Sequence, residues 1–221
     1  MTFMEQLLAR NVPIWDRCAA APFLRELQAG TLPFPLFRDY MIQDSIYLKH
    51  YARVYGKAIY HADALEEIQR WYSALGFVTD KESAVRLDYL RQFGMTDADI
   101  ESVEPLPENR AYIRFLLDTA ERGDVREILM AVLPCMMSYS YIFRRLAAQP
   151  GSRGSRYWAF IQDYADDAYD ESCREWGCYA DRTCGALPPA ERERLGRIFE
   201  RASLLELEFW GMAYRGQEAG R

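Results

Sequence analysis

Apolar residues recur at intervals of three and four along nearly the whole chain, and Gly or Pro interrupts them at helix-like spacings. That period predicts helices and no sheet. The most apolar stretch, Ile128 to Phe143, carries no charged residue in sixteen positions. A helix without a polar face must be buried, yet this one falls short of the ~20 residues needed to cross a bilayer. Asp124 and Glu127 ahead of it form a capping-box-like pair, and Arg144 and Arg145 follow where cations complement a helix C-terminus. The expectation is a central core helix from about Asp124 to Ala148.

Inside that helix, Pro134 removes an N–H and crowds the carbonyl of Met130, at a cost on the order of 3 kcal/mol. A kink there presents Cys135 and, one turn on, Tyr139 together on one face. An inert buried cysteine is the ordinary case, so on this stretch alone packing is the simpler account.

The same period gives a first helix from about Phe3 to Ala20, with a break at Pro13, and a short one from Pro22 to Ala29 stopped by Gly30. A long helix follows at about Pro35 to Tyr60, then one at about Ala62 to Leu75 ended by Gly76. Thr79 to Glu82 form a capping box for a helix reaching Phe93 and closed by Gly94. A turn of helix near Ala98 leads to another at Glu108 to Arg122, with Tyr112, Phe115, Leu116 and Ala120 in a stripe. Beyond the core helix, Tyr157 to about Glu171 reads as helix, and a further one holding Cys173, Trp176 and Cys178 runs toward Gly185. The last starts at Pro188-Pro189 and reaches about Arg215. The expected fold class is all-α, and the lack of a repeat, linker or low-complexity tract makes residues 1–221 one domain.

Charge and composition narrow the partners. The net charge is -6 and no basic run exceeds Arg144-Arg145, which disfavours nucleic acid and anionic membranes. A small-molecule ligand fits better. Without an apolar leader or a membrane-length segment, a cytoplasmic protein is expected. Five cysteines without a Cys-x-x-Cys pair argue against a disulfide framework or a zinc site. The two histidines, His50 and His61, stand in no Glu-x-x-His motif, and none precedes His50 to act as an N-terminal haem ligand. No metal or cofactor is expected.

Two acids break the apolar faces. Asp44 stands among Phe37, Tyr40, Met41, Tyr47, Leu48 and Tyr51, and Glu206 among Phe199, Ala202, Phe209, Trp210 and Tyr214. A buried acid is expensive unless hydrogen-bonded or neutralised. Asp44 has no Arg or Lys three or four residues away, and Arg201 lies off the face of Glu206, so local sequence offers neither a salt bridge. Asp44, Cys135 and Glu206 are therefore candidate pocket residues.

These residues also compose ordered motifs: Phe23-Leu-x-x-Leu27 with Gly30-x-Leu32; Phe37-x-x-Tyr40-x-x-Gln43-Asp44-x-x-Tyr47-Leu48; Leu133-Pro134-Cys135-x-x-x-Tyr139; Tyr164; and Glu206-x-x-Phe209-Trp210-x-Met212-Ala213-Tyr214. Together they resemble the TenA family of thiaminase II enzymes. The resemblance implies an all-helical, haem-oxygenase-like bundle without haem, usually a homotetramer, that hydrolyses a 4-amino-2-methylpyrimidine at its 5-methylene substituent. It implies Cys135 as the nucleophile that adds to the ring and Glu206 as the acid and base. Asp44 is implied as acceptor for the ring's amino side, Tyr112, Tyr139 and Tyr164 as hydrogen-bonding or wall residues, and Tyr47 and Phe209 as stacking residues. The expected substrates are thiamin or a breakdown product, aminomethylpyrimidine.

The central motif departs from the family's usual Cys-x-Trp-x-Tyr-x-Glu-Ile-Gly, since Met137, Tyr141 and Phe143 replace its Trp, Glu and Gly. A different pocket wall and different helix packing are expected. The alternative is a non-catalytic helical protein that kept the fold to bind a small aromatic ligand or a partner helix. Against it, packing alone would replace buried acids with apolar residues. A metal or haem oxygenase bundle is a third reading, weakened by the scarcity of histidine.

Overall fold

A computed structural model describes residues 1–76 and 82–215. Its regular structure is helical, with no strand among the described residues, so the all-α expectation holds. In chain order the helices are α1 (Phe3–Ala19), α2 (Pro22–Ala29), α3 (Phe34–His61), α4 (Leu65–Gly76), α5 (Glu82–Gln92), α6 (Asp97–Glu101), α7 (Pro107–Arg122), α8 (Val125–Ala147), α9 (Trp158–Ala165), α10 (Asp167–Cys184) and α11 (Pro189–Arg215). No helix among them is long and apolar enough to cross a membrane. The expected capping box at Thr79 lies outside the described residues.

The chain forms two compact units. One comprises Met1–Thr31 and Leu129–Gly211, the other Leu32–Ile128 with the end of α11 from Met212. In the first, α1 packs on α2 and α10. The Trp15 indole N–H donates to Ser203 Oγ at 3.2 Å, joining α1 to α11. The αL conformation of Gly30 (φ 72°) ends α2 and lets the Ser155 backbone come in close. Ser155 Oγ then donates to the Leu27 carbonyl at 2.6 Å, tying the loop after α8 to the end of α2. In the second unit, α3 packs against α4, α5, α6 and α7.

The core helix is as expected. Asp124 N–H donates to Glu127 Oε2 at 3.0 Å, Glu127 N–H donates to Asp124 Oδ1 at 3.1 Å, and Ile128 to Leu133 are at most 2% exposed. Three expectations are corrected. The break at Pro13 is absent: α1 runs through it, because Pro13 and Ala9 lie on the exposed side, where water can meet the freed carbonyl. The helix expected from Tyr157 to Glu171 instead divides at Asp166, whose extended backbone and side chain, accepting from Ala168 N–H at 2.8 Å, cap α10. Tyr214, assigned to an inner face, is 38% exposed, since it falls in the last turn of α11.

Candidate active site

In the first unit, α8 runs unbroken through Pro134. Cys135 is half-buried, and one turn on Tyr139 is 5% exposed. The Tyr139 ring meets Tyr164 of α9 edge-on at 4.9 Å and tilts over Trp210 of α11 at 5.3 Å. Such ring separations are those of favourable aromatic pairs. Glu206 is 2% exposed and Phe209, one turn later, is equally buried. Arg201 pairs with Glu208 at 3.3 Å. Cys18 of α1 has no exposure, and burial followed by the nearby Glu206 carboxylate pushes its thiol far up.

In the second unit, Asp44 is 5% exposed on α3. Burial pushes its carboxyl up to about 6, against a downward pull from Arg86 of α5. Desolvation prevails over the charge partner. Tyr47, one turn on, lies 4.9 Å from the ring of Tyr112 on α7 and 5.4 Å from Tyr51. Tyr47 and Tyr112 are 3% and 1% exposed. Each predicted site residue is therefore half-buried or buried on its helix, and the geometry pairs Tyr139 with Tyr164 and Tyr47 with Tyr112.

Sequence reasoning missed two features here. Arg86 stands far from Asp44 in the chain, so no local rule could connect them. The other is a polar cluster of Gln43 and Asn109, 5% and 0% exposed. A polar Asn one turn before Tyr112 on the buried stripe of α7 was its visible signal.

The departures at Met137 and Tyr141 bear on helix packing. Both line a groove of about 730 Å³ in the first unit, with Met4, Leu8, Val12 and Trp15, whereas Cys135, Tyr139 and Glu206 do not line it. Only Phe143 touches the aromatic wall, 5.5 Å from Tyr139 and 5.1 Å from Tyr164. Among the described residues, no three His, Cys, Asp or Glu side chains are grouped so as to hold a metal ion.

The described residues form helices without a sheet, and the fold class is haem-oxygenase-like. A domain described by that fold, from Shewanella denitrificans OS217, aligns with a TM-score of 0.69 at 17% identity, over 97% of this chain and 93% of its own, a likeness of fold alone. Residues 8–216 match the TENA/THI-4/PQQC family, and the chain belongs to it. The resemblance carried by the Gln43-Asp44, Cys135 and Glu206 motifs is thereby borne out. The aminopyrimidine aminohydrolase of Halalkalibacterium halodurans is 30% identical over 215 residues, 97% of this chain and 96% of its own. The TenA homologue protein from P. horikoshii OT3 aligns with a TM-score of 0.87 at 27% identity, over 98% of this chain and 100% of that one.

Proposed function

We propose that this protein is a thiaminase II-type aminopyrimidine hydrolase of thiamin salvage, releasing 4-amino-5-hydroxymethyl-2-methylpyrimidine from thiamin or from aminomethylpyrimidine. Membership of the family and the name of the Halalkalibacterium halodurans relative support the reaction class. The observation that carries the reading is Asp44, a carboxyl at 5% exposure that burial holds near 6. Packing has no use for such a group, whereas an aminopyrimidine offers it an N–H donor and the adjacent Tyr47 and Tyr112 rings offer faces to a flat heterocycle.

In this reading the Cys135 thiolate forms a C–S bond to a ring carbon, and the displaced ring electron pair takes up a proton. The substituent leaves the methylene with its bonding pair, protonated by Glu206 when it is an amine. Water gives its oxygen to the methylene and a proton to Glu206, and the C–S bond then breaks as the ring releases to solvent the proton it had taken up, which restores the aromatic pyrimidine and returns the thiolate. Addition of sulfur splits one hard displacement into two easier steps, and Glu206 carries protons in both. Asp44 accepts from the amino group, Tyr47 and Phe209 stack on the ring, and Tyr112, Tyr139 and Tyr164 wall or hydrogen-bond it. On the same reading, the chain acts as one domain, without a cofactor, in the cytoplasm as a homotetramer.

The test is an assay of purified, reduced protein against thiamin and aminomethylpyrimidine side by side, reading release of hydroxymethylpyrimidine. Turnover of either supports the proposal. Folded protein that binds the pyrimidine yet releases none from either substrate replaces it with the non-catalytic binder.

A further inference from the structure

Helix α7 begins without a side-chain cap from its own N-cap residue, Leu106, and Pro107 follows at the first helical position. The first N–H groups of a helix have no partner within it, and proline removes one of them. The N–H of Leu106 itself is met from another helix, by Oε1 of Gln43 on α3 at 2.9 Å. The other end of the same amide, Nε2, donates to the Glu104 carbonyl at 3.3 Å. Asn109, in the first turn of α7, completes the cluster: its Nδ2 donates to Gln43 Oε1 at 2.9 Å and to the Gln43 backbone carbonyl at 2.8 Å.

The last of these bonds reaches the centre of α3. In an α-helix the carbonyl of residue 43 is also the acceptor for the N–H of residue 47, so Asn109 grips the peptide group that holds Tyr47 and adjoins Asp44. One turn after Asn109 on its own helix stands Tyr112, whose ring lies 4.9 Å from Tyr47. Two helices joined by apolar contacts alone retain freedom to slide by fractions of an ångström. Hydrogen bonds that converge on one amide remove that freedom, and a buried network is fully effective only when its members are in place.

We infer that Gln43 and Asn109 are positioning residues, which lock the register of α3 against α7 and so set Asp44 and Tyr47 at a fixed spacing from Tyr112 for recognition of the aminopyrimidine ring. Neither is assigned a contact with the substrate. The inference rests on the proposed role of Asp44, Tyr47 and Tyr112 as the pyrimidine-holding residues.

Asn109→Leu keeps the volume of the side chain and removes both donors. Its expected effect is a tenfold or greater rise in KM and in the dissociation constant of hydroxymethylpyrimidine measured by calorimetry. Turnover at saturation should change by less than about threefold, and iodoacetamide should alkylate ligand-free Cys135 at the wild-type rate. In the Asn109→Leu background, Asp44→Asn should weaken binding less than it does in the wild type, because the carboxylate is already misplaced. Gln43→Met keeps length while removing the same bonds, and carries the test if Asn109→Leu does not fold. Failure of both to fold, or a lowered melting temperature with KM and affinity within twofold of wild type, makes the cluster a stability element and overturns the inference. Wild-type protein that binds the pyrimidine without turnover leaves the affinity readout to decide the register question alone. Wild-type protein that neither binds nor hydrolyses an aminopyrimidine overturns both readings.

Discussion

Asp44→Asn is expected to stabilise the ligand-free protein while damaging its function. The Asp44 carboxyl ordinarily titrates at 3.8 and in the fold near 6. At 1.36 kcal/mol for each factor of ten in proton affinity, that gap amounts to about 3 kcal/mol. The direction follows from proton linkage. Below about pH 4 the carboxyl is protonated in both the folded and unfolded chain, and burial costs little. Between about 4 and 6 the unfolded chain releases its proton first, so stability falls as pH rises, and above about 6 the loss is complete. The Asn variant has no such titration. At pH 8 it should exceed the wild type by up to about 3 kcal/mol, which for a chain of this size is on the order of 6 to 12 °C in melting temperature. Near pH 4 the two should converge. Thermal unfolding of both proteins, ligand-free, at intervals across that range measures the difference directly. The reverse should hold for binding, where loss of a charge-assisted bond of roughly 1.5 to 3 kcal/mol weakens affinity for hydroxymethylpyrimidine by tenfold or more. Wild-type affinity should also decline as pH falls through about 6, and that of the variant should stay flat through this window. An Asn variant no more stable than wild type at pH 8, with no dependence of the difference on pH, would refute the electrostatic account of Asp44.

Glu206→Gln keeps shape but removes the proposed proton carrier, so turnover should drop by about 10² to 10⁴ with ligand affinity much less affected, as steady-state kinetics beside calorimetry would reveal. Cys135→Ser should behave likewise. Alkylation followed by peptide mapping should modify Cys135 and the exposed Cys178 before Cys18, Cys173 and Cys184, which are buried. Burial pushes the Cys173 thiol up to about 12, leaving almost no thiolate to react. A pyrimidine ligand should protect Cys135 and leave Cys178 unchanged; equal labelling of all five, without protection, would mark Cys135 as inert.

Helix positions were legible because one rule, apolar spacing with punctuating Gly, Pro and capping residues, acts locally. Gly30 and the Asp124–Glu127 box are where that rule put them. It failed where solvent or a side chain intervened: Pro13 faces water and does not break α1, and the Asp166 cap divides what reads as continuous helix. The candidate residues were legible as chemistry on the wrong kind of face, an acid among aromatics. Their partners were not. Arg86 comes to Asp44 from another helix, and the Gln43–Asn109 bonds join helices that nothing in the spacing relates. The departures at Met137 and Tyr141 were visible as departures, but what those side chains meet depends on where α1 and α10 lie.

Helix α8 works as a partition. Residues 135 and 139 are offset from 137 and 141 by two positions, or about 200° around a helix of 3.6 residues per turn, so the two pairs look in opposite directions. The thiol and phenol face one way, and Met137 and Tyr141 face the groove beside α1 and α10. Tyr141 is held there by its hydroxyl, which donates to Asp16 Oδ1 at 2.7 Å. On the roles proposed for Cys135 and Tyr139, side chains on the groove side can be exchanged while those offered to the substrate keep their own neighbours. A library confined to 137 and 141 would then vary the groove and spare the proposed reacting side.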